Sequence, residues 1–342
     1  MKIINAMFAM KRGGKESVFL DYQHSLSQYS IEMIACVHSK ADVIKDLKPP
    51  YVTINSILWE YDFFAIAKIK KLLVETKPDC IITHGHRATA LFRKTNTKIP
   101  IIGIAHTYRI GKLIGLNHVV ALTQNLEKVI IEAGQPREKI SVIPNMLILP
   151  DTMSYEPPRD FTVPTIGVMS RLVRKKSIDT FVMPLTILKQ KNYAFKAIIA
   201  GSGKDQRRIE KLISKNGLQD IVKMWGWTSD KELFYKSIDV FCFPSIKEAF
   251  GLVLIEAFMY SKPCVVAASE GPLEITNDMH HKLVVPKKDP VAMAEAIARL
   301  IDDKELRNKL SKEGFEKVRS HYAHNVVVPE LISMLRCVTN LS

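Results

Sequence analysis

Apolar runs of strand length recur through the first half of this chain, at Ile3–Ala9, Ile31–Val37, Cys80–Thr83, Ile101–Ala105 and His118–Leu122, with longer helical patterns between them. Alternation of this kind predicts β-α-β units built on a mostly parallel, buried sheet. The alternation stops at a stretch carrying prolines 144, 150, 157, 158 and 164 together with Asp151, Glu156 and Asp160, a composition that reads as a connection between domains. It then restarts with Thr165–Met169, Lys196–Ala200, Ile221–Met224, Val240–Phe243, Pro263–Ala267 and Lys282–Val285. The expected fold class is therefore α/β, with two Rossmann-like doubly wound domains facing across a cleft. The expected boundaries are 1–150, a linker 151–164, 165–320, and a helical segment 321–342 that packs back on the first domain. Ser229 with Glu232 reads as a capping box, and Asp289-Pro290 as an N-cap before a proline at the first helical position.

Composition adds little to the fold but more about partners. With 342 residues, 47% of them hydrophobic, the chain can bury two ordinary cores. Its 49 basic and 35 acidic residues leave a formal charge of +14. Cys36, Cys80, Cys242, Cys264 and Cys337 stand singly in apolar surroundings, as small buried hydrophobes of a reducing compartment do. The amino end is soon interrupted by Lys11 and Arg12, which speaks against a secretory signal, and no apolar run has membrane-spanning length. A cytoplasmic protein is expected.

The most informative stretch is Glu248 to Glu256, E-A-F-G-L-V-L-I-E. It follows the strand Val240–Phe243, so Glu248 falls in a strand-to-helix loop, Gly251 near the first turn, and Glu256 about one turn inside the helix. A helix start offers unpaired N–H groups and partial positive charge, which suits a diphosphate, while an acid can hold a vicinal diol. Arg171 and Lys176, just past the strand Thr165–Met169, are placed where a phosphate could lie. In Lys11-Arg12-Gly13-Gly14-Lys15-Glu16 the paired glycines let backbone amides close over a ligand. His106 ends the strand Ile101–Ala105 and is expected to look into the cleft.

Other matches do not hold. Gly201-Ser202-Gly203-Lys204 lacks the third glycine of a dinucleotide fingerprint, because Gln206 stands there, and Asp205 stands where a phosphate-cradling loop needs Ser or Thr. Cys80, His84 and His86 have no second ligand pair at zinc-like spacing, so no metal is expected. Trp225 and Trp227 either shape a base pocket or belong to the core.

From Cys80 to Leu126 there is no acidic residue, while Arg87, Arg93, Lys94, Lys98, Arg109 and Lys112 lie inside. The window reads as a patch for an anionic membrane surface or a phosphorylated acceptor. With no recognisable reading motif, nucleic acid is not expected as a partner.

Taken together, these residues resemble the retaining glycosyltransferases of the family-4 type (glycosyl transferases group 1), which have the two-domain GT-B architecture. S-R-L-V-R-K-K-S-I-D is similar to the family's Gly-Arg-Leu…Lys-Gly segment, W-G-W-T-S-D-K-E-L to its strand and capped helix, and D-V-F-C-F-P-S-I-K-E-A-F-G-L-V-L-I-E-A to its acid-pair signature. G-P-L-E-I-T and V-V-P-K-K-D-P follow in the family's order. The resemblance spans most of 160–320 and, more loosely, the first 150 residues. It departs at Met146, Ser170 and Ser177, where glycine is common, and at His281-Lys282, where Asn-Gly is common.

The resemblance implies transfer of a sugar from a nucleotide-diphosphate-sugar (UDP-, GDP- or ADP-linked) to a glycan or glycolipid acceptor of the cell-surface polysaccharide or lipopolysaccharide type. It implies no metal or other cofactor, and a site on the cytoplasmic side, peripheral on the membrane's inner face. Catalytic roles fall to His106, Glu248, Arg171 and Lys176. Donor binding falls to Gly14, Arg171, Lys176, the backbone of Phe250, Gly251, Leu252 and Val253, and Glu256 at the ribose. A non-catalytic nucleotide-sugar binder, or a sugar phosphorylase or epimerase on the same architecture, stands as the alternative.

Overall fold

A computed structural model describes residues 1–11, 13–58, 61–150 and 152–341. Arg12 and Asp151, named above, lie outside the described residues. The chain divides into two compact units, Met1–Ile148 with Tyr322–Ser342, and Leu149–His321.

The first unit holds one parallel sheet of β1 (Lys2–Met7), β2 (Glu32–His38), β3 (Tyr51–Ile54), β4 (Cys80–His84), β5 (Ile101–Ala105), β6 (His118–Ala121) and β7 (Ile140–Val142), in the order β3-β2-β1-β4-β5-β6-β7. Every residue of β4, β5 and β6 is buried. Helices cover both faces of such a sheet, which is why its strands read as unbroken apolar runs. The short strands β3 and β7 are absent from the sequence reading: Tyr-Val-Thr-Ile and Ile-Ser-Val carry too few consecutive apolar residues to stand out. The carboxyl-terminal helix His324–Thr339 belongs to this unit. It packs on the first helix, Gly14–Ser27, and its entry is tied by Leu147 N–H donating to Tyr322 O (2.7 Å) and His324 N–H to Leu147 O (2.9 Å).

The second unit holds a parallel sheet of β8 (Thr165–Met169), β9 (Lys196–Ala200), β10 (Val222–Gly226), β11 (Val240–Phe243), β12 (Cys264–Ala267) and β13 (Leu283–Val285), ordered β10-β9-β8-β11-β12-β13. In each sheet the chain winds outward one way from the first strand and then the other way. The reversal falls between β1 and β4 in one unit and between β8 and β11 in the other, and loops leaving the two strands diverge there.

Residues 152–164 are tied to the second unit: Tyr155 Oη bonds Ser311 Oγ at 3.0 Å, and Arg159 Nε and Nη2 reach Asp239 at 2.5 and 3.1 Å. Asp239 also accepts from Thr165 N at 2.7 Å, so this buried carboxylate staples the incoming chain to the start of β8. The helix Lys231–Lys236 is capped by Asp230, which accepts from Leu233 N, and not by Ser229. Cys337 is exposed, whereas the other four cysteines are buried. Asp289 caps its helix with Pro290 at the first position, as read from the sequence.

Asp239→Ala should lower stability by about 1–3 kcal/mol, since it leaves the Thr165 amide unsatisfied. Arg159→Ala should cost clearly less, because its side chain is 63% exposed. Urea unfolding of both variants checks the order.

Candidate active site

In the second unit two loops leave the sheet at the point of reversal. The one after β8 carries Arg171 and ends in a short 3-10 turn, Arg174–Lys176; the one after β11 carries Glu248. Ile246 N–H donates to Lys175 O at 3.4 Å and links them. This approach lets the Lys176 ammonium ion-pair with Glu248 Oε2, both side chains being largely buried. Arg171 stays exposed.

Gly251 caps the helix Leu252–Met259 with φ +124°, a region that L side chains rarely adopt, so the glycine is demanded by the backbone. The helix is nearly all apolar and buried, which fixes its direction, and its first-turn amides at Leu252 and Val253 precede any intrahelical acceptor. Glu256 lies inside that helix at 2% exposure. Its Oε1 takes the Lys231 ammonium at 2.5 Å and its Oε2 the Tyr235 hydroxyl at 3.3 Å, while the same hydroxyl also donates to Val253 O at 2.9 Å. Burial, and then Glu256, push the Tyr235 pKa well up, so it remains a neutral donor. Phe250 is buried at the helix mouth.

Sequence reasoning passed over several supports of this arrangement. Lys231 and Tyr235 come from the helix Lys231–Lys236, and nothing local in the sequence links them to Glu256. Gly271 donates to Glu248 O at 3.0 Å, and a Cβ there would stand 2.3 Å from Phe250 O. Only glycine lets the helix Glu270–Thr276 press on the Phe250 backbone. The rejected Gly201-Ser202-Gly203 motif braces the Arg171 loop: Leu172 N–H donates to Ser202 O at 2.9 Å and Asp205 N–H to Leu172 O at 3.0 Å. Ser177 ends the cation turn in the left-handed region, φ +47°, which accounts for glycine being common at this place. Trp225 stands edge-on to Phe234 at 6.3 Å, and Trp227 is 55% exposed.

In the first unit Gly14 opens the helix Gly14–Ser27, and His106 follows β5. The structure adds a partner that the sequence reading had considered only as a metal ligand. His84, last in β4, lies parallel to His106 with ring centroids 5.1 Å apart, and its Nδ1 is 2.9 Å from His106 Nε2. His84 Nε2 is buried without a hydrogen-bond partner among the described residues. An orphaned N–H is costlier than an orphaned lone pair, so His84 carries its proton on Nδ1 and donates to His106. His106 then holds its own proton on Nδ1. Burial, followed by the nearby Lys15 ammonium, pulls His106 down to about 3; burial, then His106 and Lys15, pull His84 well below its ordinary value. The pair is neutral near pH 7. Among the described residues no three His, Cys, Asp or Glu side chains are grouped to hold a metal ion.

Residues 155–317 match the family model described as glycosyl transferases group 1. The lipopolysaccharide core biosynthesis glycosyltransferase LpsE of Rhizobium meliloti (strain 1021) is 25% identical over 98% of this chain and 99% of its own length. LpsD of the same organism is also 25% identical, over 98% of each chain. Among solved structures, Anabaena Alr3699/HepE in complex with UDP-glucose superposes with a TM-score of 0.86 at 18% identity, over 98% of this chain and 100% of that one. Sucrose-phosphate synthase from Thermosynechococcus elongatus gives 0.84 at 18% identity, over 100% of both chains. The fold is that of the GT-B glycosyltransferases.

Gly271→Ala should cost about 1–3 kcal/mol by overpacking, read as a lowered unfolding midpoint. The folded state keeps His106 neutral while the unfolded chain protonates near 6.5. Its contribution to stability is present above about 6.5 and is lost as pH falls from there toward about 3. His106→Gln should flatten that part of the acid limb in pH-dependent urea unfolding.

Proposed function

We propose, from the match of residues 155–317 to the family model described as glycosyl transferases group 1, that this protein is a retaining glycosyltransferase moving a sugar from a nucleotide-diphosphate-sugar to a glycan or glycolipid acceptor of the surface-polysaccharide or lipopolysaccharide type. The observation that carries the proposal is the pair of carboxylates, Glu248 and Glu256, each neutralised by its own lysine around an uncapped helix mouth. Two further observations support it. Relatives aligned over their whole length are lipopolysaccharide core glycosyltransferases, and HepE is described in complexes with UDP and with UDP-glucose.

Glu256 holds the ribose hydroxyls. Each carboxylate oxygen can accept more than one hydrogen bond, so Lys231 and Tyr235 leave it capacity. Arg171 and Lys176 take the diphosphate, aided by the backbone at Phe250, Gly251, Leu252 and Val253, and Glu248 takes the donor sugar's hydroxyls. From the first unit Gly14 closes on the donor, and neutral His106 offers its Nδ1–H to the transferred sugar.

As the anomeric C–O bond breaks, negative charge grows on the departing diphosphate and the sugar becomes oxocarbenium-like. Fixed positive groups stabilise that state more than the ground state. The acceptor hydroxyl attacks the face the phosphate leaves, forming the new C–O bond, and the leaving phosphate oxygen takes its proton. Configuration is thereby retained. The chain's own cations supply the neutralising charge, and the enzyme works on the cytoplasmic side of the membrane.

A thermal-shift screen across UDP-, GDP- and ADP-sugars, followed by mass spectrometry for nucleoside diphosphate release, tests the reading. Glu256→Ala should weaken nucleotide binding by about tenfold or more, the worth of a charge-assisted bond. Glu248→Ala should keep the melting shift and slow transfer by about a hundredfold. Wild-type turnover in both variants would refute the assignment; a melting shift without release would mark a binder, and a need for inorganic phosphate a phosphorylase.

A further inference from the structure

The helix Phe63–Thr76 buries one face, Ala65, Ile69, Leu72 and Leu73, against its own unit. Its other face is unusual for a protein surface: Phe63 is 79%, Phe64 89% and Val74 72% exposed. The residues just before it continue the patch, with Ile57 at 72%, Leu58 at 64% and Tyr61 at 66%. Exposed apolar side chains so concentrated mark an interaction surface. At 100° per residue Phe63, Ala67, Lys70 and Val74 fall along one line of the helix, and Phe64, Lys68, Lys71 and Glu75 along the next. Lysines are thus interleaved with the apolar groups: within the helix Lys68, Lys70 and Lys71 outnumber the single acid, Glu75, which pairs with Lys71 at 3.6 Å, while Glu60 and the buried Asp62 precede it in the chain.

The presentation is held in place. Asp62 is 6% exposed, and its carboxylate accepts from Ile57 N (2.7 Å), Leu58 N (3.3 Å) and Ala65 N (3.0 Å). Burial alone would raise its pKa, but these backbone donors hold it below the usual carboxylate range. The carboxylate pins the apolar segment to the helix start, facing outward.

We propose that the protein docks on an anionic lipid bilayer through this face, the phenyl rings entering the headgroup boundary and the lysines meeting lipid phosphates. A basic amphipathic helix with aromatic residues on its free side lies in such an interface. No described helix is long and apolar enough to cross a membrane, so the contact is peripheral. The acid-free window 80–126 fits less well: it has cations, but among the described residues none of the large hydrophobics exposed at the surface lies in it. Arg93 is also engaged by the protein's own backbone, donating to Lys112 O and Ile114 O at 3.0 and 2.7 Å. Stable attachment needs both an apolar and an electrostatic contribution, and the helix Phe63–Thr76 carries both. A second copy on the same face would bring lysines against lysines.

Vesicle co-sedimentation without donor sugar tests docking apart from transfer chemistry. Wild-type protein should bind phosphatidylglycerol-containing vesicles and bind pure phosphatidylcholine far less. Phe63→Ser with Phe64→Ser should lower partitioning by about tenfold or more, and Lys70→Glu with Lys71→Glu should remove the preference for anionic lipid. Both pairs are exposed, so melting temperature and nucleotide binding should be unchanged. Wild-type vesicle binding in either double variant, or none by the wild type, would overturn the proposal. So would a wild-type dimer that Phe63→Ser with Phe64→Ser turns into monomer.

Discussion

Two carboxylates drawn into one largely buried neighbourhood must each be neutralised, and the arrangement around the helix Leu252–Met259 depends on that requirement. Glu248 meets Lys176 and Glu256 meets Lys231, with the lysines supplied by different elements. One comes from the loop after β8, the other from the first position of the helix Lys231–Lys236. Breaking one member of such a pair leaves a poorly solvated charge, so both loops are held in register with the helix. With its acids matched in this way, the helix start carries no side-chain cap, and Arg171 stays exposed beside the same loops.

The first unit answers the same topology with different chemistry. Its point of sheet reversal brings together the ends of β4 and β5 and the start of the helix Gly14–Ser27, but places a neutral imidazole pair there in place of charges. Phe19 and Tyr22 stand edge-on to the His84 ring at 5.7 and 5.2 Å, and the nearby Lys15 ammonium helps to keep both imidazoles uncharged.

Much of this was legible in the residue order, for a local reason. Buried parallel strands need unbroken apolar runs, and Thr165–Met169, Lys196–Ala200, Val240–Phe243 and Ile101–Ala105 coincide with observed strands to the residue. Where the signal was shorter than a run it failed: β3 and β7 are edge strands of four and three residues. The capping position moved from Ser229 to Asp230 because both can accept from a backbone amide, and only the trajectory leaving β10 decides between them. What the proline-rich stretch packs on was not legible, because its contacts, to Asp239 and Ser311, lie 80 and 156 residues away.

The sequence by itself determined the alternation of strands and helices and the family resemblance, and it singled out Glu248, Glu256, Arg171, Lys176 and His106 as expected chemistry-bearing residues, because each of these is written in spacing along the chain. Tertiary structure alone decided which lysine serves which acid, that His84 sets the proton on His106, that Gly271 rather than a bulkier residue backs Phe250, and that the phenyl rings of Phe63 and Phe64 face outward. Those are distances between segments far apart in the chain, and no local pattern of hydrophobic and polar residues encodes them.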